Sequence, residues 1–313
     1  MSQQRIKIGL SKFPKRNKKA ASVMTIVIVS STQDEASTNI KKGLLELNEW
    51  DKINTFFDKT VYHHSSLSDL YLVTIKDKTI IHEGLEQQLN DKLNLKPSQI
   101  IFISRHRSKS GEPTLSTHPI GNYGEAKFGG KTKTLTPSMP RLMTTLLRTM
   151  KNKAEEHKLS HEVTYEVTHH GPFLSTPTLF AEVGSTLEEW KKEKPARIVA
   201  DSLLSVLHDK RYERDYSEYM PVLLGIGGGH YAPRFSTVAF RKNVAFGHMI
   251  PSYHVKPGHI DKEMLEKAIQ ATPNVSGVYF DRKALKKSVR SKFTKWCEQL
   301  EIPIVSSKEF SLL

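Results

Sequence analysis

The chain has 313 residues, 37% of them hydrophobic and 26% charged, with a mean hydropathy of −0.45; these values exclude a multi-span membrane protein and argue against a disordered chain. A single cysteine, Cys297, excludes an internal disulfide framework and any zinc site built from cysteines alone, and fits a reducing compartment such as the cytoplasm. Lys and Arg number 47 against 33 Asp and Glu, a net charge of +14, which favours encounter with polyanions, RNA above all.

Residues 1–23 carry seven positive charges (Arg5, Lys7, Lys12, Lys15, Arg16, Lys18 and Lys19) and no acidic residue. They lack the apolar stretch of a secretory signal. The segment reads as a disordered or non-native extension before Met24, or as a basic arm that touches RNA. Residues 25–30 read as a buried strand and 34–50 as a helix with an acidic start. Strands are expected at 69–75 and 99–104, with a short helix at 85–93 between them. Residues 105–136 are rich in Gly, Pro, Ser and Thr and read as a long functional loop or a small inserted subdomain. An amphipathic helix opened by proline follows at 137–157, then strands at 163–168 and 178–183, and a helix at 194–208. Residues 221–226 form a short apolar run typical of a fully buried strand. Residues 238–246 read as a strand or hairpin, 261–271 and 283–300 as helices around a strand at 277–280, and 302–305 as a last strand. No segment approaches the ~18 apolar residues of a membrane span. This alternation predicts one α/β domain over residues 24–313: a mixed sheet flanked by helices, with its sites at strand ends.

Histidines concentrate at those ends. His106 follows a strand in Ser104-Arg105-His106, and His169 and His170 follow another before Gly171-Pro172. His230 follows Gly227-Gly228-Gly229, His248 follows Gly247, and Glu182 ends a strand before Val183-Gly184-Ser185. Imidazole and carboxylate are what a catalytic zinc takes when cysteine is absent, and zinc lowers the pKa of bound water to about 7. His63-His64 reads as surface, and His118 as a solvent or packing residue. The glycine run matches neither a dinucleotide nor a P-loop pattern, so no nucleotide cofactor is expected; its amides are candidates to hold an oxyanion. Ser104 with His106 and Asp201 is a weak hydrolase constellation, because no nucleophile elbow accompanies it. Cys297 beside Trp296 reads as core. On the last helix Leu285, Val289, Phe293 and Trp296 share one face, and Lys283, Lys286, Lys287 and Arg290 another. That basic stripe is either a solvated face or a track for RNA phosphates.

Taken together, these motifs resemble the archaeal and plant type of D-aminoacyl-tRNA deacylase. The likeness rests on Ser104-Arg105-His106, on the run Ser110-Gly111-Glu112-Pro113 through Gly121-Asn122, and on Thr168-His169-His170-Gly171-Pro172. It continues with Glu182-Val183-Gly184-Ser185, Gly227-Gly228-Gly229-His230-Tyr231-Ala232-Pro233-Arg234 and Gly247-His248, so it covers nearly everything after Met24. The resemblance implies a phosphorylase/hydrolase-like α/β fold, related in shape to peptidyl-tRNA hydrolase. It also implies a cytoplasmic monomer that frees tRNA of D-amino acids with one or two zinc ions. The residue chemistry assigns metal ligands among His169, His230, His248 and Glu182. Catalytic roles fall to Glu182, His170 and His106, oxyanion contacts to Gly227, Gly228 and Gly229, and tRNA contacts to Lys286, Lys287 and Arg290. Two other readings stay open: a zinc peptidase or amidase, and a non-catalytic RNA-binding module.

Overall fold

A computed structural model describes residues 24–209, 220–255 and 259–313; the basic extension of residues 1–23 lies outside the described residues. Strand β1 (Ile26–Ser31) is buried at every position, as expected of a strand covered on both faces. The Asp34 carboxylate accepts from the Ser37 amide at 2.9 Å and caps helix α1 (Glu35–Leu47). Strands β2 (Trp50–Phe56) and β3 (Lys59–His64) form an antiparallel hairpin that leads to β4 (Leu70–Ile75). Helix α2 (Leu85–Leu93) and strand β5 (Gln99–Arg107) follow, then β6 (Thr114–His118), a short pair β7 (Gly121–Asn122) and β8 (Thr134–Leu135), and helix α3 (Pro140–Glu156). Next come β9 (Glu162–Tyr165), β10 (Thr178–Ser185), α4 (Leu187–Trp190) and α5 (Glu193–Asp209). The C-terminal part runs β11 (Val222–Ile226), α6 (Pro233–Arg241), β12 (Ala245–Ile250), α7 (Ser252–Val255), α8 (Lys262–Gln270), β13 (Val275–Phe280), α9 (Lys287–Gln299) and β14 (Ile304–Val305).

These strands make a mixed eight-stranded sheet in the order β2-β3-β4-β1-β5-β10-β6-β9 and a parallel four-stranded sheet in the order β12-β11-β13-β14. The expected mixed sheet flanked by helices is therefore present. One continuous core joins the two sheets: Leu223, Phe235, Phe246 and Tyr279 pack in the same cluster as Leu146, Tyr165 and Leu179. A second core, holding Phe293 and Cys297, lies within the four-stranded half.

Three expectations need correction. Residues 238–246 are not a hairpin: α6 runs to Arg241 and β12 begins at Ala245. Pro233 opens that helix, and Phe235, Val238 and Ala239 bury at helical spacing. Residues 105–136 are not one long loop, because β6 is a fully buried strand between β10 and β9. His64 is not a surface residue either. It is buried in the β2–β3 hairpin, with its ring 4.8 Å from Trp50 and 5.3 Å from His208.

Thr144 of α3 ties the two sheets together. Its hydroxyl accepts from the buried Tyr165 hydroxyl at 2.6 Å and from the Phe246 amide at 3.3 Å. Thr144→Val strands the Tyr165 hydroxyl and should cost ~1–3 kcal/mol. In thermal melts Tyr165→Phe should be less harmful in the Thr144→Val background than alone; equal effects in both would refute the coupling.

Candidate active site

Strand period brings the polar residues to one face. On β5, β10 and β6 the register aligns Ser104 with Glu182 and Ser116, and His106 with Gly184 and Thr114. Side chains two apart share a face, so Ser104, His106, Glu182, Ser116 and His118 all project the same way. Glu166 extends that face just beyond β9, its amide donating to the Thr117 carbonyl at 3.2 Å. The alternate residues Ile103, Ala181, Val183 and Leu115 point into the main core instead. Gly184 makes room: a Cβ there would lie 2.4 Å from Thr114 Oγ1 and 3.1 Å from the His106 ring. The four-stranded sheet supplies His230, whose carbonyl accepts from the Val167 amide at 3.0 Å.

Glu166 is the centre of the group and is fully buried. Ser116 donates a short hydrogen bond to its Oε1. Its Oε2 lies 2.9 Å from His106 Nδ1, 2.9 Å from His230 Nε2 and 3.5 Å from His169 Nε2. Despite these distances Oε2 makes no aligned hydrogen bond. The atoms converge rather than pair, as around an ion: two ligands at about 2.0–2.1 Å from tetrahedral zinc stand roughly 3.3 Å apart. Backbone carbonyls fix the ring orientations. His169 Nδ1 donates to Val167 at 2.7 Å, His170 Nδ1 to Gly171 at 2.7 Å and His118 Nδ1 to Pro119 at 3.2 Å. Each bond leaves Nε2 as the lone-pair atom, which is how proteins prepare histidine for a metal. Two groups of this kind exist among the described residues: His106 with Glu166 and His230, and His118 with His169 and His170, their ligand atoms within 4.8 Å of one another. A third overlaps them, joining His118, Glu166 and Glu182.

The electrostatics follow from this crowding. Burial opposes the charged form of Glu166, but His106, His230 and His118 overcome it and hold the carboxyl well below its usual range. Burial also opposes charging His106 and His118, yet the neighbouring glutamates raise both. Glu182 is raised, by burial first and by the charge of Glu166, with His118 opposing. His170 is pushed down to about 3 by burial and by His118, and His169 is lowered by burial and by His118 and His170. The group opens into a cavity of about 1440 Å³ also lined by Lys78, Arg105, Arg107, Lys109, Lys127 and Lys133.

Of the residues singled out in the sequence, the structure brings together His106, His169, His170, Glu182 and His230. His248 is a correction, because both its nitrogens are committed: Nε2 donates to the Thr136 carbonyl at 2.9 Å, and Nδ1 faces the Thr168 hydroxyl at 3.0 Å. The Gly227 amide is committed too, to the Ile250 carbonyl at 2.8 Å. Lys286 and Lys287 are exposed at the start of α9 and Arg290 is half-buried; none of the three lines the cavity. Ser104 donates to Asp34, and Asp201 pairs with Lys153 at 2.7 Å, so no Ser-His-Asp triad forms. Sequence reasoning missed Glu166 and took His118 for a solvent or packing residue. The signal for Glu166 was a carboxylate inside an otherwise apolar and β-branched run, Val163 to Thr168.

His248 is lowered to about 4 by burial, whereas an unfolded histidine titrates near 6.5. Below that value the unfolded chain takes up a proton that the folded chain refuses, so His248 withdraws stability as pH falls from about 7 to 4. His248→Gln keeps a donor and an acceptor but does not titrate. The stability gap between wild type and variant should narrow by up to ~3 kcal/mol over that range in urea unfolding; a constant gap would contradict a neutral, buried His248.

The D-aminoacyl-tRNA deacylase family model matches residues 93–305. The chain is 36% identical over 290 residues to the D-aminoacyl-tRNA deacylase of Methanosarcina acetivorans, covering 91% of this chain and 93% of the relative. It is 36% identical over 281 residues to that of Thermococcus onnurineus, covering 89% and 98%. A crystal structure of a conserved protein of unknown function, AF0625, superposes with a TM-score of 0.82 at 29% identity, covering 93% of this chain and 99% of that one. With the motif residues of the cluster inside the matched region, the chain belongs to the D-aminoacyl-tRNA deacylase family.

Proposed function

We propose that this protein hydrolyses the ester between a D-amino acid and the 3′-terminal ribose of tRNA, using a divalent ion held by the histidine–glutamate cluster. The observation that carries the metal is the convergence of His106, His230 and His169 on Glu166 Oε2 without aligned hydrogen bonds. Family membership carries the substrate class. The donor set, imidazole and carboxylate with no sulfur, suits zinc. His106, Glu166 and His230 would hold one ion, and His118, His169 and His170 offer a second place. Bound there, such an ion lowers the pKa of water and polarises an ester carbonyl.

The chain's own residues supply the rest. Glu182, raised by burial, accepts a proton at Oε2 as the carbonyl carbon gains a hydroxyl, and returns it to the ribose oxygen as the ester bond breaks. Gly228 and Gly229 are the candidates to hold the carbonyl oxygen, since Gly227 is committed to Ile250. His170 lines the cavity and, with Nδ1 held by the Gly171 carbonyl, would orient the aminoacyl group through Nε2 when no second ion occupies that place. The lysines and arginines at the cavity rim meet the tRNA phosphates, with Lys286, Lys287 and Arg290 of α9 as an outlying stripe. No helix among the described residues is long and apolar enough to cross a membrane.

Metal-stripped and zinc-restored protein should be compared on D-tyrosyl- and L-tyrosyl-tRNA. The expected result is release from the D isomer only, and only with zinc. Folded, zinc-loaded protein that releases neither isomer would refute the proposal. Glu166→Gln should reduce the rate beyond the about 10- to 100-fold typical of residues that merely support a ligand. The KM for the tRNA substrate should rise steeply with salt; a salt-insensitive KM would favour a peptidase or amidase acting on small substrates.

A further inference from the structure

Two aromatic side chains line the cavity while remaining exposed, Phe128 at 66% and Tyr253 at 45%. Phe128 does not sit on a loose loop. Its carbonyl accepts from the Gly171 amide at 3.1 Å, one residue beyond His170. The Gly130 amide donates to Glu83 Oε1 at 2.8 Å, and Asn122 Nδ2 donates to the Gly129 carbonyl at 2.9 Å. Gly129 has φ +76, and a Cβ there would come within 1.8 Å of the Ile80 carbonyl oxygen, so the chain passes too close for any other residue. The backbone is thus tied down at Phe128 and at the two residues after it, while the ring is left in the open. Burial gives no reason to keep a phenylalanine there, because about two-thirds of it stays in water.

We infer that Phe128, with Tyr253 of the same cavity, stacks the unpaired nucleobases at the 3′ end of the tRNA. This rests on the deacylase reading and adds the recognition element. The scissile ester sits on the terminal ribose, so that nucleotide's base must lie beside the histidine cluster, where Phe128 is anchored to the His170–Gly171 turn. Unpaired RNA ends are held by aromatic stacking with cations on the backbone. Lys127 adjoins Phe128, and Arg107 and Lys109 line the same cavity. Stacking grips the base rather than the aminoacyl group, so it does not depend on which amino acid the ribose carries.

The probe is an uncharged RNA hairpin ending in an unpaired CCA, with 2-aminopurine in place of the terminal adenine. Wild-type protein should quench its fluorescence on binding. Phe128→Ala should lose the quench and weaken binding by roughly 5- to 150-fold, the span of one base–aromatic stack. The KM for D-tyrosyl-tRNA should rise in parallel at unchanged kcat, and Phe128→Trp should restore both. Wild-type quench and KM in a folded Phe128→Ala protein would overturn the inference. So would a defect confined to particular amino acids with RNA binding intact, which would place Phe128 against the aminoacyl side chain. Phe128-dependent quenching by a protein that hydrolyses no D-aminoacyl-tRNA would uphold the stacking and refute the deacylase reading instead.

Discussion

A buried carboxylate surrounded by imidazoles is the constraint around which this protein is arranged. An isolated carboxylate in the interior costs several kcal/mol even after relaxation, and Glu166 is wholly buried. Its cost is offset only if positive charge or a metal meets Oε2, and three imidazole nitrogens are brought to within 3.5 Å of it. Backbone carbonyls hold the rings of His169, His170 and His118 through Nδ1 and leave Nε2 of each outside those bonds.

Two sheets are needed to build that group. β5, β6 and β10 carry His106, His118 and Glu182 on one face, whereas His230 comes from the turn after β11 in the other sheet. The Thr168–His170 segment lies between them. Thr168 donates its amide to the Met249 carbonyl at 3.1 Å and accepts from the Met249 amide at 2.9 Å through its hydroxyl. His248 braces the same hydroxyl from below. The continuous core and the Thr144 bridge hold the sheets in the relation that the cluster needs.

Much of this could be read from the residues, and the failures share a cause. Periodic segments such as Leu85–Leu93 and the apolar run of β11 were found because their burial is one-sided or complete. The polar strand β6 was not, because Thr114, Ser116 and His118 face the site rather than the core and so imitate a loop. The expectation that chemistry sits just after strands found His169, His170 and His230. It obscured the fact that His106 and Glu182 lie inside β5 and β10, where alternation with Ile103, Ala181 and Val183 already marked a polar face. Glu166 carries no motif of its own. His248 shares the glycine–histidine context of His230, and its full burial and two committed nitrogens tell them apart.

The most direct test of the central claim is anomalous diffraction at the zinc edge from crystals of protein loaded with one equivalent of zinc. A peak bonded to His106, Glu166 and His230 is the predicted result. Zinc found only at a surface pair such as His254 and His259, with the Glu166 group empty, would contradict the account.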